Sequence, residues 1–456
     1  MMASRVVRFI GAFNGDTATA SLPPGPQLPR LVQSVLYLKF REWFLPAMHR
    51  KYGAVFSLRV PPYADHLVVY TRPEHIKEIF SADPRTLHAG EGNQILGFVM
   101  GEHSVLTTDE AEHARLRSLL MPAFSRAALR GYRDMITSVA REHIARWPAD
   151  AHINSLDCMN ALTLDVILRV VFGVTDPGVK AELTTRLPDI VDIHPLILAV
   201  LRYPSLKHVN PWQRFLSNQR RIDELLYREI ASRRGASDLQ VRTDVLSRLL
   251  QTNDTATTPL SDAELRDQLI TLLLAGHETT AAALSWTLWE LARNPDIQSQ
   301  VVAAAVGGDD GFLTAVFKEG MRRHTVIAST ARKLTVPMRI GGWRLPAGTV
   351  VNTSILLAHG DAESHPDPTE FRPSRFLDGG VAPNTWLPFG GGVRRCLGSG
   401  FALTEGAAVL QEIFRQFTIT ASGPTQGESP LVRNITTVPK HGARLRLTPQ
   451  RDGALA

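Results

Sequence analysis

The chain has 456 residues, of which 44% are hydrophobic and 21% charged, a composition typical of a globular protein with a large buried core. Its formal net charge is +6, but it contains no block of five like charges and no basic–aromatic stripe, so we expect no nucleic-acid binding. Its two cysteines, Cys158 and Cys396, lie far apart, which argues against a disulfide framework and favours a reducing compartment.

The N-terminal part of the chain indicates where the folded domain begins. No stretch of about 20 residues lacks charged and polar side chains, so we expect no transmembrane segment. The opening MMASRVVRFIGAF lacks the long apolar core and cleavage site of a secretory signal, and we expect a soluble, cytoplasmic protein. We interpret residues 1–30, which end in LPPGPQLP, as a leader with a proline-rich hinge, and residues 31–456 as one domain.

The next segments predict strands at both ends of the chain and helices between them. AVFSLRV and HLVVY read as two strands, joined by a turn at PPYAD. From TRPEH to about residue 325, apolar residues recur every three or four positions, as in QRRIDELLYREIASRR. Strand-like segments return after residue 331 as MRIGG, WRLPAGTVVN and ARLRLTP. We therefore expect a mainly α fold with a smaller β portion (α+β).

One helix is predicted over about residues 261–293. Ser261 and Glu264 have the spacing of a capping box at its start, and an Asn-Pro pair follows its end. At ~1.5 Å per residue it would run ~50 Å, and its apolar middle indicates a buried central helix. AGHETT lies in that middle, where Gly276 weakens a helix and Glu278 is costly to bury. The motif therefore points to a function, although a kink or a helix–helix contact would also explain it.

Cys396 stands in the unusual segment FGGGVRRCLG. Glycines allow a tight turn and a close approach to a bulky group. LGSGFALTEGAAVLQEIF reads as a helix just after the cysteine, and a helix N-terminus favours a thiolate, as do the adjacent Arg394 and Arg395. We predict a cysteine held as a thiolate and presented to a ligand. A zinc ion, a histidine base or a heme iron each remain open as the partner of this sulfur.

The cysteine segment resembles the heme-binding signature of the cytochrome P450 monooxygenases. Phe389, Gly392, Arg394, Cys396 and Gly398 all fall on that signature. Three further motifs occur in the order that the family has them: AGHETT, KEGMR and FRPSRF. The likeness covers roughly residues 22–448 and is greatest to soluble actinobacterial members, particularly mycobacterial ones. It implies the cytochrome P450 fold and the cofactor heme b (iron protoporphyrin IX).

The resemblance also implies roles for the residues around the oxygen site. Cys396 would be the axial ligand of the heme iron, and Phe389 would shield its sulfur. Ala275 and Thr279 are four residues apart and share one helix face, which would lie over the distal side of the heme. Glu278 and Thr279 match the acid–alcohol pair that delivers protons during oxygen activation. The glycines of the cysteine segment would give clearance beneath the heme.

Other matching residues would hold the cofactor or support it. The resemblance assigns four residues to the heme propionates: His113, Arg117, Arg332 and Arg394. Glu319 and Arg322 are one helical turn apart, and we interpret them, with Arg375, as a buried structural ion pair. Two positions depart from the family pattern, since Thr325 replaces a common proline and Gly360 a common arginine.

The expected reaction inserts one oxygen atom from O₂ into a hydrophobic small molecule. Substrate-facing segments, placed by resemblance at about 85–106, 185–212 and 325–331, are mostly apolar. Electrons would come from NAD(P)H through separate proteins of the ferredoxin and ferredoxin reductase type. Five arginines form a candidate docking patch for an acidic donor: Arg115, Arg126, Arg130, Arg133 and Arg395. A peroxide-driven enzyme, an isomerase and a non-catalytic heme carrier are the alternatives.

Overall fold

The computed structural model describes residues 22–61, 63–173, 177–191, 205, 208–253, 258–377, 379–422 and 427–450. Helices dominate these ranges, as predicted from the spacing of apolar residues. In chain order they are α1 Arg30–Lys39, α2 Arg41–Tyr52, α3 Pro73–Ser81, α4 Ala89–Gly92, α5 Gly97–Met100, α6 Glu110–Leu120, α7 Arg126–Ile144, α8 Ser155–Phe172, α9 Pro177–Val191, α10 Trp212–Arg234, α11 Val245–Asn253, α12 Asp262–Arg293, α13 Pro295–Gly307, α14 Asp310–Arg323, α15 Ile355–His359 and α16 Ser399–Gln416.

The strands of the described residues form four sheets and lie between residues 55 and 154 and between residues 329 and 449, on either side of the central helices. They are β1 Val55–Val60, β2 Ala64–Tyr70, β3 Leu87–His88, β4 His152–Asn154, β5 Ser329–Leu334, β6 Met338–Ile340, β7 Trp343–Leu345, β8 Val350–Ser354, β9 Phe417–Ala421, β10 Pro430–Arg433, β11 Thr436–Pro439 and β12 Arg444–Pro449. The largest sheet has the order β1-β2-β8-β5-β3, and only its β2–β8 pair is parallel. The mainly α fold with a smaller β portion is thus confirmed.

The long central helix is present with the predicted ends. Ser261 is the N-cap of α12, and its hydroxyl and the Glu264 side chain form the expected capping box. Asn294 ends α12 and directly precedes α13. α12 packs chiefly on α8 and also contacts α14 and α10, so it passes through the main hydrophobic core. Among the described residues, no helix is both long and apolar enough to cross a bilayer.

The proline-rich hinge is part of the packed structure from residue 22 onward. The backbone N–H of Ser57 in β1 donates to the carbonyl of Pro24 at 2.9 Å. Gly25 lies so close to β1 that a Cβ atom there would be 2.0 Å from the carbonyl oxygen of Ser57. The glycine therefore allows the hinge to run against the sheet edge. Residues 1–21, the larger part of the predicted leader, lie outside the described ranges.

Helix α16 carries a buried carboxyl group within the core. Glu405 is 1% exposed, and neither of its carboxylate oxygens has a hydrogen-bond partner. Burial raises the pKa of this carboxyl well above its ordinary value of 4.5. The folded chain therefore holds Glu405 as a neutral acid, whereas the unfolded chain ionises it near pH 4.5.

We predict that Glu405 makes stability fall as pH rises. Above pH 4.5 the folded state binds one more proton than the unfolded state, so the free energy of unfolding declines by at most ~1.4 kcal/mol per pH unit until the folded pKa is reached. Glu405→Met should abolish this decline and raise the free energy of unfolding at pH 7 by about 1–3 kcal/mol. Urea unfolding followed by tryptophan fluorescence at pH 5 and pH 8 measures both effects.

A matched control lies on the same helix. Glu412 is also buried, but it accepts hydrogen bonds from Arg141 Nε at 2.8 Å and Arg141 Nη2 at 3.1 Å. Glu412→Met should therefore destabilise the protein, the opposite sign to Glu405→Met. A Glu405→Met variant that loses stability at pH 8 would show that the carboxyl is ionised and paired.

Candidate active site

The loop before α16 is held by a short series of backbone hydrogen bonds. The N–H of Gly390 donates to Leu387 O at 2.9 Å, and the N–H of Cys396 donates to Phe389 O at 2.9 Å. The ring of Phe389 packs edge-on against Trp386 at 5.7 Å between ring centroids. These contacts close the loop on itself, so that the cysteine and the phenylalanine predicted to shield it are joined directly through the backbone.

The glycines of this loop are needed for contacts that the sequence did not reveal. Gly390 and Gly392 have φ angles of +61° and +64°, a region that favours glycine. A Cβ atom would lie 2.2 Å from the Phe80 ring at Gly391 and 2.1 Å from the Phe80 carbonyl oxygen at Gly392. The close approach is thus to α3, at Phe80, which gives the glycines a structural reason besides the predicted clearance beneath a heme.

Cys396 is accessible although it lies deep in the protein. Its side chain is exposed, yet the surrounding protein desolvates the sulfur strongly enough to raise the pKa of the thiol above 9.0. Accessibility and depth together indicate an internal cavity whose wall includes the sulfur. The backbone N–H of Gly398 and the charges of Arg117 and Arg395 oppose the effect of burial on this pKa.

The helix terminus and the arginines predicted a thiolate. In the structure, burial changes the pKa of Cys396 more than either of them does, and it favours the thiol. A coordinated metal cation deprotonates a thiol outright, so the site suits a metal-bound sulfur better than a free thiolate. The described residues contain no group of three or more His, Cys, Asp or Glu that could hold a metal ion. A zinc site therefore finds no ligand set in the described part of the chain, whereas a heme iron needs only one protein thiolate.

A cluster of cations adjoins the cysteine. His113 on α6 is buried, and its pKa is lowered to about 3 by desolvation and by the charges of Arg394, Arg117 and Arg332. Arg117 also interacts electrostatically with Cys396. The structure thus brings together all four residues that the sequence predicted at the propionates. The joint positive charge of the three arginines would stabilise two carboxylates placed beside the neutral His113.

The hydrogen bonds of these four residues test whether two carboxylates would fit among them. The Nε atom of Arg332 is buried and has no hydrogen-bond partner, while its Nη2 donates to Gly391 O at 3.1 Å. Desolvation and Arg394 lower the pKa of Arg332 to about 10. Arg394 instead forms an ion pair with Asp109 and donates to Val105 O at 3.2 Å. An unpartnered guanidinium N–H in a cationic cavity fits the carboxylates of heme b.

One face of the central helix is accessible although most of the helix is buried. Ala275 is exposed, and Leu272, Gly276 and Thr279 are partly exposed, in a segment whose other residues from 269 to 291 are buried. The spacing of these four residues places them on a single face of α12. An exposed face in the middle of a core helix indicates an internal cavity there. The Thr279 hydroxyl donates to Ala275 O at 2.9 Å.

Two residues of AGHETT, Gly276 and Glu278, have contacts with other elements of the fold. A Cβ atom on Gly276 would lie 2.7 Å from Ile167 Cδ1 on α8, so the glycine permits the helix–helix contact that the sequence left open. Glu278 is buried, and its Oε1 lies 3.7 Å from Arg433 Nε at the end of β10. Arg433 is 155 residues away, and no local signal in the sequence pointed to it as the partner of Glu278.

The predicted structural ion pair is confirmed. Arg322 Nε and Nη2 donate to the two carboxylate oxygens of Glu319 at 2.8 and 2.9 Å, and both side chains are buried. Arg375 Nε donates to Glu319 Oε1 at 3.0 Å, and the backbone N–H of Arg372 does so at 2.9 Å. This bidentate pair connects α14 to the irregular segment that leads to the cysteine loop.

The two departures from the family pattern lie at a second connection to the same loop. The N–H of Leu387 donates to His359 Nε2 at 2.8 Å, so the neutral ring carries its proton on Nδ1, which is 3.3 Å from Thr325 Oγ1. Burial lowers the pKa of His359 well below 6.5, which keeps Nε2 free to accept. Thr325 therefore orients His359, while Gly360 ends α15 as its C-cap.

The candidate donor patch divides into two groups. Arg115 forms an ion pair with Glu264, and Arg133 donates to Asp310 Oδ1 at 2.6 Å. The remaining three arginines are exposed: Arg126, Arg130 and Arg395. Of the predicted substrate-facing segments, 85–106 forms β3 to α5 and 325–331 enters β5. The segment 185–212 lies mostly outside the described residues, since 192–204 and 206–207 are not described.

Comparisons with known proteins agree with this architecture. The family model described as cytochrome P450 matches residues 23–445. Cytochrome P450 135A1 of Mycobacterium tuberculosis is 83% identical over 436 residues, which cover 96% of this chain and 97% of that protein. Cytochrome P450 135B1 of Mycobacterium bovis is 41% identical over 442 residues, which cover 96% of this chain and 93% of that protein.

A solved structure gives the same result for the fold. The cyanobacterial CYP120A1 bound to retinoic acid superposes with a TM-score of 0.81 at 23% identity, covering 95% of this chain and all of that chain. Family members bind heme b iron through a cysteine thiolate and act as monooxygenases, and the accessible Cys396 and the unpartnered Nε of Arg332 fit that group. The chain belongs to the cytochrome P450 family.

Proposed function

We propose that this cytochrome P450 inserts one oxygen atom from O₂ into a hydrophobic small molecule, typically as a hydroxylation, inside the cavity bounded by Cys396 and α12. The observation that carries the proposal is the accessible face of Ala275 and Thr279 on an otherwise buried helix, in a protein whose Cys396 sulfur is also accessible at depth. We place both at one cavity, which would hold the cofactor.

The residues that would hold the cofactor surround this cavity. Cys396 would supply the thiolate ligand, with the Gly398 N–H directed at its sulfur and Phe389 packed on Trp386 in the same loop. His113, Arg117, Arg332 and Arg394 would hold the propionates, and the unpartnered Nε of Arg332 would gain an acceptor. When bound, heme b supplies the binding and reductive activation of dioxygen.

Proton delivery is the task we assign to Glu278 and Thr279. The Thr279 hydroxyl lies on the accessible face of α12, and rotation away from Ala275 O would let it donate its one proton into the cavity. Glu278, beside Arg433, would take up a proton from solvent and return it to Thr279 through water, which is a relay of the general-acid type.

The substrate we expect is apolar. The described parts of the predicted substrate-facing segments include the apolar residues Ile95, Leu96 and Phe98 and, before β5, Val326, Ile327 and Ala328. With two unpaired cysteines, the chain suits a reducing compartment, and we place the enzyme in the bacterial cytoplasm. Residues 31–456 would then act as a single catalytic domain.

Electrons would come from NAD(P)H through a ferredoxin reductase and a ferredoxin. Arg126 and Arg130 are four residues apart on α7 and flank Leu129, whose Cδ1 would be 2.7 Å from a Cβ on Gly400. This contact places them next to the loop of Cys396, together with the exposed Arg395. A positive patch beside the ligand loop suits an acidic donor protein.

The identity of the metal ligand is tested by Cys396→His. A neutral imidazole cannot supply the thiolate, so we expect the reduced CO complex to lose its thiolate-type absorption band completely. The matched control is Cys158→Ser, which removes the other cysteine and should leave the band in place. Retention of the band in Cys396→His would show that another residue ligates the iron.

The proton relay is tested by Thr279→Ala. Loss of the hydroxyl should lower product formed per NAD(P)H consumed by roughly tenfold or more, with the reducing equivalents released as hydrogen peroxide. Thr280→Ala is the control, because Thr280 makes the same type of bond, to Gly276 O at 3.1 Å, but is buried. Equal coupling in both variants would assign the relay to another group.

Turnover with peroxide alone would favour the peroxide-driven enzyme, and no product with any hydrophobic compound would favour the carrier.

Donor docking is tested by reversing the charges of Arg126, Arg130 and Arg395 to glutamate. We expect the rate of ferredoxin-dependent reduction to fall by at least ~10-fold and to lose most of its dependence on ionic strength. The control reverses three exposed arginines elsewhere on the surface: Arg146, Arg228 and Arg446. An equal effect in the control would mean that overall charge, and not this patch, governs the rate.

A further inference from the structure

Helix α1 is oriented with its polar side chains toward the protein and its apolar side chains toward solvent. Gln33, Ser34 and Tyr37 are its buried residues, and Gln33 is only 2% exposed. Leu31 and Val35 on the opposite face are 74% and 53% exposed. This is the reverse of the usual surface helix, whose apolar face is directed at the core.

Hydrogen bonds hold the polar face of α1 against the protein. The Gln33 side chain donates to Leu28 O at 2.8 Å and accepts from the N–H of Arg59 at 2.9 Å. Ser34 Oγ donates to Pro61 O at 2.9 Å. The Tyr37 hydroxyl accepts from Asn352 Nδ2 at 3.0 Å. These bonds hold the helix to the sheet and leave its apolar face without a role in the fold.

The exposed apolar face continues beyond the helix. Trp43 at the start of α2 is 64% exposed. Altogether seven large apolar side chains within sixteen residues are exposed: Leu28, Leu31, Val32, Val35, Leu38, Phe40 and Trp43. Contiguous apolar surfaces of this kind on a protein mark an interaction site. We call these seven residues the α1 face.

The charges around the α1 face indicate what covers it. Between residues 28 and 65 the chain has six basic residues against two acidic ones, Glu42 and Asp65. The basic residues are Arg30, Lys39, Arg41, Arg50, Lys51 and Arg59; all but Arg41 are exposed. A second copy of the chain would bring two basic rims together. Residues 1–21 contain Arg5, Arg8 and a single acidic residue, Asp16, so that segment does not supply the excess of negative charge that these basic residues would attract.

We propose that the α1 face docks this protein on the surface of an anionic lipid bilayer. An interfacial helix buries an apolar face at the boundary of headgroups and acyl chains, with aromatic residues at that level and basic residues toward the lipid phosphates. Leu31, Val35 and Trp43 enter the interface, while Arg30 and Lys39 contact the headgroups. The protein binds on the membrane and does not span it.

The test uses the full-length, heme-loaded protein and vesicles that contain 30% phosphatidylglycerol in phosphatidylcholine. We expect the protein to co-sediment with these vesicles at low salt, to bind pure phosphatidylcholine at least tenfold more weakly, and to dissociate as salt rises. The triple variant Leu31→Ser, Val35→Ser, Trp43→Ser should lower the partition coefficient at least tenfold. Its CO difference spectrum and thermal midpoint should stay unchanged, because the three side chains are exposed.

The control variant replaces three exposed valines elsewhere by serine: Val241, Val306 and Val336. It should bind vesicles as the unaltered protein does. The proposal is overturned if the full-length protein stays in the supernatant at low salt, or if both triple variants bind equally. It is also overturned if the α1 face instead supports a dimer without lipid, seen as a concentration-dependent mass that the first variant abolishes, or if binding requires deletion of residues 2–21.

Discussion

The ion pair between Glu319 and Arg322 is the interaction on which the cysteine site depends. In its described residues, the segment from Gly360 to Gly398 contains only two short 3₁₀ turns, Pro373–Phe376 and Gly392–Arg394, so these residues cannot satisfy their backbone groups through regular structure. Arg322 donates to the carbonyls of His359, Pro368 and Glu370, while Glu319 accepts from Arg372 and Arg375. Two charges of opposite sign thereby organise an otherwise irregular segment around α14.

The electrostatics of the cavity are set by the burial of ionisable groups. Burial raises the pKa of the Cys396 thiol and lowers that of Arg332 to about 10, so both groups are held in an environment that disfavours their charged forms. A metal cation at the sulfur would reverse the first effect, and carboxylates beside Arg332 would reverse the second. The protein therefore pre-arranges cations and a thiol whose charges are complementary to one anionic, metal-containing ligand.

The sequence predicted what local patterns encode and missed what long-range contacts decide. The capping box of α12, its end at Asn294 and the Glu319–Arg322 pair involve residues at most four positions apart, and all were predicted correctly. The partner of Glu278, the contact of Gly391 with Phe80 and the pairing of Arg394 with Asp109 join distant segments, so no local pattern contained them. In α1, an amphipathic helix would ordinarily direct Leu31 toward the core. Buried hydrogen bonds of Gln33, Ser34 and Tyr37 instead turn the polar face of the helix inward, so Leu31 faces solvent.

The pairing of Arg394 with Asp109 bears on how the chain reaches its folded state before it meets a cofactor. Asp109 accepts from Arg394 and also from the N–H groups of Gly90 and Glu91 at 2.8 and 2.9 Å. Its carboxylate thus acts as an internal counter-ion in a place otherwise occupied by repelling cations. Because Asp109 supplies a negative charge from within the chain, the repulsion among the arginines is lowered, and the cationic cavity can form at a smaller electrostatic cost before the cofactor binds.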